Sequence, residues 1–229
     1  MPDLLIVVPA RGGSKRLPGK NLRLLGGIPL IAHTALFLAA EGMLANAIVS
    51  TDDPAIAEAA RACGLSVPFL RPADLASDIS TTLDVLRHAV EWQEEKNGIP
   101  DLVAVLQVTT PFRRQGLLKE AIGLLEANEA TQSVVAMKSL GLSSRYVFVR
   151  DGEGMAAAIG SDAALVHAPT GALFLTRTAA LLSQNTIYAE PILPILTPGV
   201  EAIDIDTEED LLIAEAVLHA QASLAPPKK

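Results

Sequence analysis

The 229-residue sequence predicts a single α/β domain with a mainly parallel sheet. Half of the residues are apolar (50%), which is enough for one large core. From residue 4 to about residue 138, short runs that are apolar on both faces alternate with helical stretches. Such runs are typical of strands covered on both sides, and the alternation is typical of right-handed strand-helix-strand crossovers. We assign residues 1–222 to this domain and residues 223–229 to a flexible tail.

Each predicted strand is a short apolar run bounded by turn residues. The runs are residues 4–8, 47–50, 67–70, 102–107, 133–137, 172–176 and 202–205. Helical patterns predict helices at residues 29–44, 54–63, 81–96, 116–128 and 207–221. The last of these helices begins with Thr207-Glu208-Glu209-Asp210, which has the spacing of a capping box.

Residues 139–170 break the alternation. They contain a strand-like run at 146–149, a turn at 150–154 and a stretch rich in Ala and Ser. A departure of this kind within one sheet is usually an insertion, and we expect a hairpin or a dimerisation arm.

The composition limits which partners the protein is expected to bind and in which cellular compartment we expect it. The net charge of −8 argues against nucleic-acid binding, which favours a basic surface. No signal peptide is visible, and every apolar run is interrupted well before the ~18 residues of a membrane span. The single cysteine cannot form an internal disulfide. We therefore expect a cytoplasmic protein that binds neither nucleic acid nor membrane.

The loop after the first predicted strand concentrates positive charge. Five of the 18 basic residues fall between positions 11 and 23. Gly12 and Gly13 allow backbone N–H groups to approach a ligand, while Arg11, Lys15 and Lys20 supply charge for phosphates. The segment matches neither a P-loop nor a dinucleotide fingerprint. We predict a phosphate site here rather than a solvated basic loop.

Two aspartates close the last predicted strand. On a strand, Asp204 and Asp206 would project to the same face because side chains alternate with a period of two. Adjacent carboxylates repel unless a cation lies between them, and Mg²⁺ bound through carboxylates and substrate phosphates suits a polyphosphate loop. The alternative is that Asp206 or Thr207 only caps the following helix.

Polar groups also follow two other predicted strands. Gln107, Thr109 and Arg113 offer amide, hydroxyl and guanidinium groups without a nucleophile and base pair, which favours binding over covalent catalysis. Residues 70–78 form a polar loop long enough to close over a nucleotide, although either segment alone is more often an ordinary turn.

Five ordered blocks together resemble one enzyme family. They are residues 9–21 (PARGGSKRLPGKN), 49–52 (VSTD), 70–78 (LRPADLASD), 106–113 (LQVTTPFR) and 203–208 (IDIDTE). In order and spacing they resemble the CMP-acylneuraminate cytidylyltransferases, also named CMP-sialic acid synthetases. The resemblance implies a Rossmann-like nucleotidyltransferase domain that transfers CMP from CTP to the anomeric hydroxyl of a nonulosonic acid and releases pyrophosphate. It further implies Mg²⁺ and a homodimer in which the arm completes the sugar pocket of the partner.

The resemblance also assigns roles to residues. The predicted nucleotide-binding residues are Arg11, Gly12, Gly13, Lys15, Lys20, Asn21, Arg71 and Thr82. The predicted substrate-binding residues are Gln107, Thr109, Arg145, Arg150 and Thr170. Asp204 and Asp206 are the predicted Mg²⁺ ligands, and with Arg11 and Lys20 they form the predicted catalytic set.

One element departs from the family pattern. Residues 168–171 are Ala-Pro-Thr-Gly, where sialic acid enzymes often have Arg-Pro-Asn-Gly. An arginine binds a carboxylate bidentately, and neither alanine nor threonine replaces it, so Arg145 or Arg150 would have to supply the cation. Two alternatives stay open: a cytidylyltransferase for another sugar acid of the KDO type, and a nucleotide-binding relative without catalysis.

Overall fold

The computed structural model describes residues 2–150, 156–158 and 164–224, which surround a six-stranded sheet. In chain order the strands are β1 (Leu4–Pro9), β2 (Leu24–Leu25), β3 (Ile28–Pro29), β4 (Ala47–Ser50), β5 (Leu102–Val105), β6 (Ser133–Ser143), β7 (Phe148–Arg150), β8 (Ala156–Ala158), β9 (Leu165–Arg177) and β10 (Ile192–Leu196). The helices are α1 (Leu30–Glu41), α2 (Pro54–Ala62), α3 (Thr82–Asn97), α4 (Leu117–Ala127), α5 (Thr178–Gln184) and α6 (Glu208–Leu224).

The strand order in the large sheet is β10-β6-β9-β5-β1-β4. Strand β1 pairs in parallel with β4 and β5, and β10 pairs in parallel with β6. Strand β9 runs antiparallel to both β5 and β6. The predicted α/β class with a mainly parallel sheet is therefore confirmed.

The core lies on both faces of this sheet, as alternation along β1 shows. Leu4, Ile6 and Val8 face the layer formed by α1, α2, α4 and α6, while Leu5 and Val7 face α3 and α5. All five side chains are almost fully buried. A strand buried on both faces explains why the sequence shows a continuous apolar run there.

Two predicted strands are wrong. Residues 67–70 form only isolated parallel bridges, Ile48 with Ser66 and Thr51 with Leu70. Residues 199–202 form a 3₁₀ turn, and the chain from 203 to 206 belongs to no strand. In this segment the Ile205 amide donates to the Thr109 carbonyl at 2.8 Å, which is not part of a strand. Strand β10 and helix α5 were not predicted from the sequence.

The predicted start of α6 is confirmed. The Asp210 carboxylate accepts from the Thr207 amide at 2.8 Å and from the Thr207 hydroxyl at 2.8 Å, and that hydroxyl accepts from the Asp210 amide at 3.2 Å. Helix α6 continues to Leu224, and the rest of the predicted tail, residues 225–229, lies outside the described residues.

The irregular segment extends the sheet as a long antiparallel pair. Beyond the core, β6 continues against β9, with Ser139 opposite His167 and Ser143 opposite Leu165. Strands β7 and β8 form a separate antiparallel pair. We refer to residues 139–170 as the arm; the hairpin is present, and its role in dimerisation stays a prediction. None of the helices in the described ranges combines the length and apolar character needed to cross a bilayer.

Candidate functional site

A cavity of about 600 Å³ opens where β1 and β5 end. Open α/β sheets bind ligands at this edge, outside the carboxyl ends of parallel strands. Its lining residues are Pro9, Arg11, Ser14, Lys15, Arg16, Lys20, Asn21, Gln107, Val108, Thr109, Asp204 and Asp206. We name it the central cavity. It collects predicted site residues from three distant stretches of the chain.

Backbone contacts hold the basic loop in place. The Gly12 amide donates to Asp52 Oδ1 at 3.0 Å, and the buried Asn21 side chain donates to the Arg11 carbonyl at 3.0 Å. A Cβ at Gly12 would lie 2.8 Å from Asp53 Oδ2, so only glycine fits without displacing that side chain. Asn21 therefore shapes the loop as well as lining the cavity, whereas Gly13 faces open space.

Two carboxylates hold four cations of this loop. Asp78 lies 3.1 Å from Arg11 and 2.5 Å from Lys15, while Asp206 lies 2.7 Å from Lys20 and 2.5 Å from Arg16. The hydrogen bond and charge of Lys15 lower the pKa of Asp78, and Arg11 adds to the effect. The loop thus presents a compact set of four cations, and these two carboxylates offset only half of their charge.

Asp204 and Asp206 both reach the central cavity, although the predicted strand is absent. The fully buried Ile205 lies between them and anchors the segment through its bond to Thr109. Asp204 is open to the cavity, yet the surrounding protein removes part of its hydration and raises its pKa. A hydrogen bond from Thr109 opposes that rise. Both residues therefore line the cavity, but not because they share one face of a strand.

The donor set fits a magnesium ion that binds together with phosphates. In the described part of the chain, no cluster of three or more His, Cys, Asp or Glu side chains could hold a metal alone. Mg²⁺ commonly uses one or two carboxylates and completes its shell with water and substrate phosphates. Asp204, whose ionised form is disfavoured by its surroundings, and Asp206 offer oxygen atoms of that kind beside the basic loop.

A smaller cavity of about 210 Å³ shares Pro9 and Arg11 with the central cavity. We name it the side cavity, and it is lined by Arg71, predicted for the cytosine side, and by Thr82, predicted to lie near the phosphates. Arg71 also holds the loop of residues 70–78 against β4. Its Nε donates to Ser50 Oγ at 3.0 Å, and its other donors reach the carbonyls of Ser50 and Leu75. The buried Ser80 hydroxyl, which sequence reasoning missed, has no partner among the described residues.

The predicted sugar contacts separate into two groups. Gln107 and Thr109 line the central cavity, and Gly171 packs against Gln107. Gly171 has φ +74°, and a Cβ there would lie 2.2 Å from Gln107 Oε1, so this position requires glycine. Thr170 does not reach the cavity. Its buried hydroxyl bonds with the Ala136 carbonyl at 3.3 Å and with Thr197 Oγ1 at 3.1 Å.

Of the two arm arginines, the side chain of Arg145 is described, and it does not line the central cavity. Arg145 lies exposed in the 3₁₀ turn Ser144–Tyr146, and it lines none of the three cavities described around this site. The backbone of Arg150 ends β7, but its side chain lies outside the described residues.

Arg113 has a role that its sequence block did not reveal. Its guanidinium is buried, and burial lowers its pKa to about 9 while the charge of Asp204 opposes this. Nε donates to the Ala172 carbonyl at 2.6 Å, and another donor reaches Thr110 Oγ1 at 2.8 Å. Arg113 also donates to the Gln107 carbonyl, so it ties the loop after β5 to β9.

A third cavity, of about 510 Å³, lies on the arm side of Asp204. It is lined by Lys138, Ser139, Pro198, Gly199, Ala202, Ile203, Asp204, Asp210 and Ile213. We name it the arm-side cavity. Asp204 is shared with the central cavity, so the two spaces meet at this carboxylate. Sequence reasoning missed Lys138, because an isolated lysine at the end of an apolar run carries no motif.

Comparisons with known proteins identify the family of this chain. The model of the cytidylyltransferase family matches residues 5–155. A CMP-N,N'-diacetyllegionaminic acid synthase of Legionella pneumophila is 33% identical over 226 residues, covering 94% of this chain and 96% of that protein. An N-acylneuraminate cytidylyltransferase of Streptococcus agalactiae is 27% identical over 218 residues, covering 91% of this chain and 51% of its own length.

A solved structure supports the fold. The CMP:2-keto-3-deoxy-manno-octonic acid synthetase complexed with CTP superposes with a TM-score of 0.69 at 20% identity, covering 96% of this chain and 99% of that one. The family model matches most of the chain, and the two relatives cover nearly its whole length. This chain therefore belongs to the cytidylyltransferase family. Within the family, its motifs resemble those of the CMP-acylneuraminate cytidylyltransferases.

Proposed function

We propose that this chain transfers CMP from CTP to the anomeric hydroxyl of a nonulosonic, sialic-type acid and releases pyrophosphate. The observation that carries the proposal is the convergence of the basic loop with Asp204 and Asp206 on one cavity. Two relatives whose names specify acids of this class support the acceptor.

In this reaction the hydroxyl oxygen bonds to the α-phosphorus and loses its proton. The bond between the α-phosphorus and the bridging oxygen breaks, and pyrophosphate leaves with the electron pair. Arg11, Lys15 and Lys20 bind and orient the phosphates and offset their charge. Arg71 binds the nucleoside end in the side cavity, Thr82 lies near the phosphates, and Gln107 and Thr109 contact the acceptor.

Asp204 and Asp206 would hold Mg²⁺, which supplies further charge neutralisation on the phosphates. Asp206 is bound to Lys20 and Arg16 in the free chain, so the same carboxylate connects the basic loop to the metal position. The carboxylates and the cations therefore act on the same phosphate groups from neighbouring positions.

We also propose a homodimer formed through the arm. Leu140, Leu142, Phe148 and Leu165 expose apolar side chains on it, and such a patch favours burial against another surface. Sedimentation with activity measured across the same dilution series tests this proposal. We expect acceptor turnover to fall as dimers dissociate while CTP binding is kept, and a fully active monomer would contradict it. A single cysteine and a CTP substrate fit a cytoplasmic enzyme.

The function is tested by incubating the chain with CTP, Mg²⁺ and a panel of sugar acids while following pyrophosphate release. The panel contains N,N'-diacetyllegionaminate, N-acetylneuraminate and 3-deoxy-manno-octulosonate. We expect turnover with a nonulosonic acid and none without acceptor or with ATP in place of CTP. Turnover with the eight-carbon acid alone would favour the KDO-type alternative. CTP binding with no turnover on any acid would favour the relative without catalysis.

A further inference from the structure

The arm-side cavity lies where an acceptor for the central cavity would have to bind. The transfer needs the acceptor oxygen beside the α-phosphorus, so the acceptor must occupy space that adjoins the phosphate cavity. The arm-side cavity adjoins it at Asp204 and, at about 510 Å³, lies within the size range of small-molecule sites.

The charges in this cavity present a problem for an acidic ligand. Asp204 and Asp210 both line it, and a carboxylate entering beside them would be repelled. The Asp210 carboxylate already accepts hydrogen bonds from Thr207 and from the Asp206 amide at 3.0 Å, and these bonds stabilise its negative charge. A sugar acid that binds there therefore needs a cation among the lining residues.

Lys138 is the basic side chain among the described residues that line this cavity. It makes no salt bridge with any described residue, in contrast to Lys15 and Lys20 of the basic loop. Its cross-strand partner on β9 is Ala168. Opposite residues of an antiparallel pair project to the same face, and the short alanine side chain leaves that face open around the lysine.

The remaining wall is apolar. Ala202, Ile203 and Ile213 line it, and Ile213 is 55% exposed in the free chain. Acyl and methyl groups of a modified nonulosonic acid would bury that surface, whereas a fully hydroxylated ligand would leave hydroxyl groups against it without partners.

We infer that the acceptor extends from Gln107 and Thr109 into the arm-side cavity, and that Lys138 binds the carboxylate of the sugar acid there through its ammonium group. The inference rests on the proposed function and names the specificity-determining cation of the same site. It assigns the carboxylate to Lys138, which lies on β6 directly before the arm, instead of to the predicted Arg145 or Arg150.

The test compares Lys138→Met and Lys138→Arg with Lys119→Met, an exposed lysine on α4. Each variant is assayed with the sugar acid and with its carboxamide, which keeps the ring and loses the charge. We expect Lys138→Met to raise KM for the acid about 10- to 100-fold, as losing a charge-assisted bond does, and to leave CTP affinity unchanged. Its preference for the acid over the amide should disappear, Lys138→Arg should retain most of that preference, and Lys119→Met should behave as the parent chain.

Binding is measured separately by saturation-transfer NMR of the sugar acid in the presence of CMP, so that a lack of turnover does not decide the question. Loss of acid binding in Lys138→Met, with binding kept in Asp206→Ala, supports the inference even if the catalytic proposal fails. Equal losses for acid and amide would show a structural role and overturn it. So would unchanged binding in Lys138→Met, or a loss confined to Arg145→Met.

Discussion

The basic loop after β1 and the arm differ in how their side chains are held. In the loop, Arg11 and Lys20 each bind a carboxylate of the same chain, and Gly12 and Asn21 fix the backbone. On the arm, Arg145 is exposed, as are several apolar side chains. The cations of the loop thus have partners within the chain, whereas the described part of the arm exposes apolar side chains to solvent. Variants in the two regions should therefore affect different steps.

The largest effect is expected at the carboxylates that join the loop to the proposed metal. Asp206→Ala and Asp204→Ala should lower turnover about 1,000-fold or more, because charge neutralisation on phosphates contributes several kcal/mol. Loss of Asp206 also frees Lys20 and Arg16. Pyrophosphate release and circular dichroism, measured together, check this. Glu94→Ala, an exposed carboxylate on α3, is the control, and full activity in a folded Asp206→Ala would refute the assignment.

The next effect concerns nucleotide affinity. Lys20→Ala and Arg11→Ala should weaken CTP binding about 10- to 100-fold, because each removes a charge-assisted bond to phosphate. Lys15→Ala should weaken it less, since Lys15 is 77% exposed and Lys20 only 17%. Calorimetric titration with CTP measures the affinities, with Lys119→Ala as the control. If all three variants bind CTP like the parent chain, the loop is only a solvated basic surface.

A smaller effect is expected where the arm joins the core. Gly171→Ala forces a Cβ into Gln107 and strains a positive φ, so we expect a loss of about 1–3 kcal/mol, or several degrees in Tm. Gly123→Ala, in α4 with open space around it, should gain up to about 1 kcal/mol. Thermal unfolding of both variants provides the comparison. Equal responses would show that the contact of Gly171 with Gln107 is not a constraint.

The smallest effect lies at the start of α3, beside the side cavity. The backbone and hydroxyl bonds from Thr81 lower the pKa of Asp84 below its ordinary 3.8. A lowered pKa in the folded chain means that the carboxylate stabilises the fold above that ordinary value and loses its effect as pH falls through the lowered one. Asp84→Ala should cost about 1 kcal/mol at neutral pH. Urea unfolding should show the gap to the parent chain closing in acid; a gap that persists there would argue against the carboxylate.

Short-range signals explain what the sequence predicted well. The capping box of Thr207 and Asp210 depends on residues three apart, and the basic loop is recognised from its own cluster of basic residues; both are present in the structure. The alternation that predicted the parallel strands is equally local. Features that depend on distant partners were missed or misjudged.

Several particular residues show where local reasoning fails. Pro194 interrupts the apolar run that forms β10. A proline is tolerated in this strand because the strand lies at the edge of the sheet. Thr170 was assigned to the sugar, but its hydroxyl is used by Ala136 and Thr197, which pair with it only in the folded sheet. Arg113 is buried because carbonyl oxygens from Gln107 and Ala172 converge on it, and no spacing in the sequence reveals that convergence.

The ion pairs of the basic loop imply that nucleotide binding there would be an exchange of partners. A triphosphate that reached Arg11 and Lys15 would take the place of Asp78 on both, and the proposed metal at Asp206 would take the place of Lys20 and Arg16. The measured affinity then reflects the difference between phosphate and carboxylate as partners of the same cations. Because dissolved salt weakens the pairs that are lost as well as those that form, CTP binding should depend on ionic strength less steeply than its charge alone would suggest.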